Sequence, residues 1–199
     1  INPVAKWAKD TLAAIGLTAS RISFFGHSLG SYVSAEIGRM FGKVNSIVAL
    51  DPAHAGTGGG DAYDIDGNTS NKQKVKNFRD VANNSVAFVA SDEEAGWMGD
   101  NDRAATAHNS FIIRYQDLGY DKIGGEAHGG VVQVFTNLLD KDYKELSNFE
   151  QNRFGNRGGL YDKPKDPSHE AVISAKKVNG KWTAESLSKV SGSSKATWV

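Results

Sequence analysis

The pentapeptide Gly26-His27-Ser28-Leu29-Gly30 stands between the apolar run Ile22-Ser23-Phe24-Phe25 and the small-residue stretch Ser31-Tyr32-Val33-Ser34-Ala35-Glu36-Ile37. A β-prone run, G-x-S-x-G and a helix-forming run in that order make a nucleophile elbow. A serine hydroxyl is a weak nucleophile at neutral pH. A hydrolase therefore holds it exposed on a strained strand-to-helix turn, with a base beside it. The two glycines leave room for strand and helix to pack closely, and the backbone N–H of Leu29, at the helix start, can point at a developing oxyanion. The competing reading is a plain turn; the flanking strand and helix favour Ser28 as a nucleophile.

Such a serine needs a histidine to take its proton and a carboxylate to orient that histidine. Asp51, in Leu50-Asp51-Pro52-Ala53, ends the next β-type run, where parallel sheets place their chemistry. An aspartate before proline is also a common turn former. Asp92, in Asp92-Glu93-Glu94 after the apolar run 85–90, is the alternative acid. Five histidines compete for the base. His27 adjoins the serine, and its side chain must leave the elbow in another direction, to pack or to support the site. His54 follows Asp51 too closely for both to meet on one imidazole, and His169 lies in a polar stretch. His108 begins a strand. His128 opens a helix after the final core strand, where a fold of this kind delivers its base.

The elements that would position these groups alternate. Val4, Trp7, Ala8, Leu12 and Ile15 recur at helical spacing with Lys6, Lys9 and Asp10 opposite, which predicts an amphipathic helix over 3–15 ended by Gly16. Strands are predicted at 22–25, 45–50, 85–90 and 111–115, and helices at 29–40 and 128–139. That alternation predicts an α/β fold, a parallel sheet with crossover helices. Two long polar loops interrupt it, 52–80 and 92–107. Near the C-terminus, 171–178 and 181–187 flank Asn179-Gly180, a dipeptide that favours the type I′ turn of a β-hairpin. Residues 191–194 read as a frayed tail.

The chain has 199 residues, room for one domain with a sizeable core, and its 23 basic and 23 acidic residues balance. Even charge without a basic block excludes a nucleic-acid surface and an electrostatically held membrane protein. Without cysteine there is neither a disulfide nor thiol chemistry, and nothing at the start resembles a targeting segment. Asp61, Asp64, Asp66 and Asn68, in a glycine-rich loop over 58–68, are hard oxygen ligands of the type calcium takes. The EF-hand spacing fails there, however, and a single copy of the glycine-rich turn cannot stack into a β-roll. A solvated loop is the favoured reading, calcium the alternative, and no cofactor is expected to be required.

Five segments in order are similar to the pancreatic-type lipase family, the neutral lipases and phospholipases A1 of the α/β-hydrolase fold. "FFGHSLGSYVSAEIGR" resembles its elbow and helix, "VNSIVALDPA" its strand ending in the acid, and "NNSVAFVAS" the strand after it. "AHNSFII" resembles its Gly-His-x-Asp-Phe strand and "EAHGGVVQVFTNLL" its histidine helix. The resemblance covers about 5–140. It implies Ser28 as nucleophile, Asp51 as acid, His128 as base and His108 as a structural residue. The implied activity is ester hydrolysis on lipids, with transient contact to a lipid surface, no nucleic acid, and an extracellular setting. Only Gln116 to Ala127 separate the last predicted core strand from His128, too little for a large lid, which favours phospholipase or esterase activity over strict interfacial lipolysis. A non-catalytic lipid-binding or interaction module on a hydrolase scaffold is the alternative. The resemblance further implies that 1–160 are a C-terminal part of a catalytic domain and 161–199 its hairpin extension. An upstream part of the same polypeptide would supply the earlier strands and a second oxyanion donor.

Overall fold

The computed structural model describes residues 1–54, 75–90, 98–116, 118, 125–139 and 170–189. Helix α1 is Asn2–Ala14, with Pro3 in its first turn, where a missing N–H removes no helical hydrogen bond; Gly16, at φ 80°, turns the chain away. Strand β1 (Ser23–His27) leads through Ser28 into α2 (Leu29–Met40), followed by β2 (Val44–Leu50). Short helices α3 (Phe78–Val81) and α4 (Asn101–Ala104) stand inside the two stretches predicted as loops, on either side of β3 (Ala82–Ala90). Then come β4 (Asn109–Tyr115), α5 (Gly125–Leu139), β5 (Glu170–Val178) and β6 (Lys181–Lys189).

Among the described residues the six strands form one sheet in the order β1-β2-β3-β4-β5-β6. The first five run parallel and β6 returns antiparallel, so the fold is α/β with a mostly parallel sheet. Alternate residues of each strand point to opposite faces. Val48, Leu50, Val86, Phe88, Phe111 and Ile113 pack with Val131, Val134 and Phe135 of α5. Ile47, Ala49, Ala87, Val89 and Ile112 pack with Tyr32 and Ala35 of α2 and with Phe78 and Val81 of α3. Burial on both faces is why these strands read as nearly continuous apolar runs.

Three expectations are corrected. The hairpin does not follow a finished sheet: β5 pairs in parallel with β4, Phe111 opposite Ala171 and Ile113 opposite Ile173, so β4 is not the last core strand. Its turn has the expected form, with Asn179 at φ 51° and Gly180 at φ 78°. The histidine helix begins at Gly125 rather than at His128. The apolar stripe predicted for α1 is only partly covered: Val4, Trp7 and Ile15 are 56%, 69% and 69% exposed, while Leu12 packs against the core and Ala5 is the fully buried residue of that helix.

The β6 edge is covered by α5. Gln133 Oε1 accepts from the backbone N–H of Trp182 at 2.9 Å and Asn137 Oδ1 from that of Ala184 at 3.0 Å. Two amide side chains one helical turn apart thus stand where a further strand would pair. At the other edge, β1 pairs with β2 alone among the described strands.

Candidate active site

Ser28 joins β1 to α2 at φ 56°, ψ −126°, a conformation that costs a non-glycine residue about 1–3 kcal/mol and persists only where its surroundings impose it. They do so here. The Ser28 N–H donates to Leu50 O at 2.9 Å, and Ser28 O accepts from the Ser31 N–H at 3.1 Å. Ser31 Oγ donates back across the turn to Gly26 O at 2.8 Å. A Cβ at position 26 would lie 2.4 Å from Gly30 O, so Gly26 is what lets the helix start fold back onto the strand; a Cβ at Gly30 would meet nothing within 4 Å. Of the two glycines expected to make room, one is sterically required. Leu29 opens α2, so its N–H has no acceptor within the helix, the kind of backbone donor that can bind an anion.

Asp51 leaves the sheet one strand away at the same level, since His27 stands opposite Leu50 in the β1–β2 register. It too has positive φ, 45°, a region that aspartate tolerates better than most residues. Its N–H donates to Phe88 O at 2.6 Å, and its Oδ1 accepts from the Ala90 N–H at 2.8 Å. The carboxylate is fully buried. Gly99 closes over it, and a Cβ there would stand 2.4 Å from Oδ1. That glycine is held by its antiparallel bridge to Ala53, whose carbonyl in turn accepts from Tyr32 Oη at 2.5 Å.

The His128 Nδ1–H donates to Asp51 Oδ2 at 2.5 Å. An ionised carboxylate only accepts, so Nδ1 carries the proton, and in the neutral tautomer that fits this bond the lone pair is on Nε2. His128 sits in the first turn of α5, which Tyr115 Oη anchors by donating to Ala127 O at 2.9 Å. A Cβ at Gly130 would lie 2.9 Å from that hydroxyl and 3.0 Å from Trp182, so the missing side chain lets the helix settle onto β4 and β6. The His27 ring packs against the His128 ring, centroids 4.4 Å apart. Burial pushes the His27 imidazole below its ordinary 6.5; the neighbouring His128 adds to this, while the His128 carbonyl and the Asp51 charge oppose it.

The structure thus brings Asp51 and His128 into direct contact and puts Ser28 at the end of the adjacent strand. Ser28 Oγ makes no hydrogen bond to another described residue; contacts between nucleophile and base commonly tighten only when substrate is bound. His108 is engaged elsewhere: its Nδ1 lies 2.8 Å from Ser85 Oγ, which also accepts from the His108 backbone N–H at 2.9 Å and so ties β3 to the start of β4. His54 is exposed. Asp92, His169, and Asp61, Asp64, Asp66 and Asn68 of the calcium reading lie outside the described residues. Ser31, Tyr32, Gly99 and Tyr115, which shape the site, were missed in the sequence. Only Ser31 carries a local signal, three residues after the elbow serine. No protein-family model, curated protein or solved structure matches this chain.

Proposed function

We propose that this protein is a serine hydrolase of the α/β-hydrolase type that cleaves carboxylic esters of lipids through an acyl-enzyme. The observation that carries the reading is the buried 2.5 Å hydrogen bond from His128 Nδ1–H to Asp51, one strand from a serine held at φ 56°. With Nδ1 committed to the carboxylate, Nε2 is the base. It takes the Ser28 proton as Oγ attacks the ester carbonyl, and the oxyanion forms against the Leu29 N–H. The protonated Nε2 then gives its proton to the leaving alcohol. Water attacks the acyl-Ser28 ester with His128 again as base, Oγ leaves and recovers the proton, and the carboxylic acid departs. Asp51 holds the tautomer throughout and stabilises the transient imidazolium.

Lipid esters are favoured over other esters by two features. The five ordered segments resemble pancreatic-type lipases, and Leu29, next to the nucleophile, is 50% exposed, an apolar group at the mouth of the site. The short connection from β4 to α5, Gln116 to Gly124, favours phospholipid or small-ester substrates over triacylglycerol droplets.

The test is covalent labelling with a fluorophosphonate, followed by turnover of p-nitrophenyl esters of increasing chain length and of phospholipid in vesicles. Labelling at Ser28 that Ser28→Ala abolishes, with ester turnover lost in the same variant, is the expected result. Wild-type protein that takes no label but binds vesicles would instead make this a lipid-binding module.

A further inference from the structure

The helix that carries His128 begins poorly. Its first six residues are Gly125-Glu126-Ala127-His128-Gly129-Gly130, and each glycine in a helix costs about 1 kcal/mol relative to alanine. Left to its own propensity this turn would fray, and the imidazole would move with it. Two side chains from the sheet prevent that. Tyr115 Oη, on β4, donates to Ala127 O at 2.9 Å, and His27 Nε2–H, on β1, donates to His128 O at 3.1 Å. The two acceptors are consecutive carbonyls, approached from different strands.

We propose that His27 is a positioning residue for His128. Its Nε2–H pins the main chain of the base while its ring lies beside the imidazole at 4.4 Å, 39° from parallel. Rotation of His128 away from Asp51 is thereby restrained at both ends of the side chain. Because His27 is bonded directly to Ser28, the same contact sets the distance between the strand of the nucleophile and the helix of the base. This part rests on the serine-hydrolase reading; the clamp on His128 does not. A carbonyl only accepts, so His27 must keep its proton on Nε2. The bland alternative is that His27 merely fills space, in which case any ring of similar size would serve.

Two variants separate these. His27→Phe keeps a ring and removes the donor; His27→Gln removes the ring and returns an N–H at a similar reach. The readouts are kcat and KM on a short-chain ester, and the NMR line of the proton His128 shares with Asp51, which needs no turnover. We expect His27→Phe to lower kcat by about tenfold to a hundredfold, with KM within about twofold and the line broadened by exchange, since small misplacements near the chemistry have effects of that size. His27→Gln should recover kcat to within about threefold of wild type and sharpen the line again. Wild-type kcat and a sharp line in His27→Phe would overturn the proposal, as would equal losses in both variants. If wild-type protein hydrolyses no ester, the serine-hydrolase reading falls, and the line in the three proteins still decides whether His27 clamps His128.

Discussion

Asp51 and His128 are tied down by groups from several parts of the chain, whereas Ser28, one strand away, is held through its backbone alone, after a strand that pairs only with β2 among the described residues. The Asp51 carboxylate receives the Ala90 N–H and the His128 ring, and Gly99 presses on it. His128 rides on a turn pinned by Tyr115 and His27. Ser28 relies on Leu50 O, Ser31 and the contact of Gly26 with Gly30. The two arrangements solve different problems. A buried carboxylate must be fully hydrogen-bonded or it neutralises itself, so the acid demands many partners. A nucleophile must keep its hydroxyl uncommitted, so only its backbone can be restrained, and the restraint takes the form of strain.

The sharpest way to break the acid side is Asp51→Asn. The amide oxygen can still accept from the Ala90 N–H. If it does, an NH₂ group faces His128 Nδ1, the ring flips its tautomer, and Nε2 loses its role as base. We expect kcat to fall on the order of 10⁴-fold with the circular dichroism spectrum unchanged. A loss below about tenfold would mean that the Asp51–His128 bond is structural only.

That asymmetry also governs what could be read in the sequence. The elbow, the aspartate ending a strand and the histidine near the start of a helix are local patterns, and each lies where its spacing places it. The α/β alternation was legible for the same reason, because strands buried on both faces leave continuous apolar runs. Gly99 was not legible: its importance comes from pressing on a carboxylate 48 positions earlier, through a bridge to Ala53 that no periodicity encodes. The start of β3 at Ala82 was hidden by Asn83 and Asn84, polar residues recruited by pairing with β2. The first turn of α5 was hidden by its glycines, since side chains from β1 and β4 supply what propensity lacks. Periodicity placed an apolar stripe on α1, but it cannot say what the stripe meets, and Trp7 faces solvent.

On the nucleophile's side the comparison is sharpened by its two glycines. Gly26→Ala drives a Cβ to 2.4 Å from Gly30 O, a backbone atom that cannot swing aside. We expect a loss of about 1–3 kcal/mol in urea unfolding, together with loss of fluorophosphonate labelling as the elbow opens. Gly30→Ala meets open space inside a helix, where alanine is favoured by up to about 1 kcal/mol, so the sign should reverse. Equal destabilisation by both would show that the elbow is not held by this close approach.

The smallest expected effect lies between the two halves, at His27. Burial lowers its pKa in the folded protein below the ordinary 6.5, so in the window below that value the unfolded chain binds more protons at this position than the folded one. Stability from this group is therefore complete above 6.5 and is lost as pH falls from there through the lowered folded value. The charges it meets among the described residues are His128 on α5, which would repel a protonated His27, and Asp51 at the end of β2, which would attract it. Comparing wild type with His27→Gln between about pH 7.5 and about pH 5.5 isolates the contribution, because the remaining histidines are common to both proteins. The wild type should lose more unfolding free energy on acidification than the variant. The opposite order would mean that Asp51 outweighs burial and that His27 is charged beside His128, where it would disfavour the imidazolium that the proposed reaction requires.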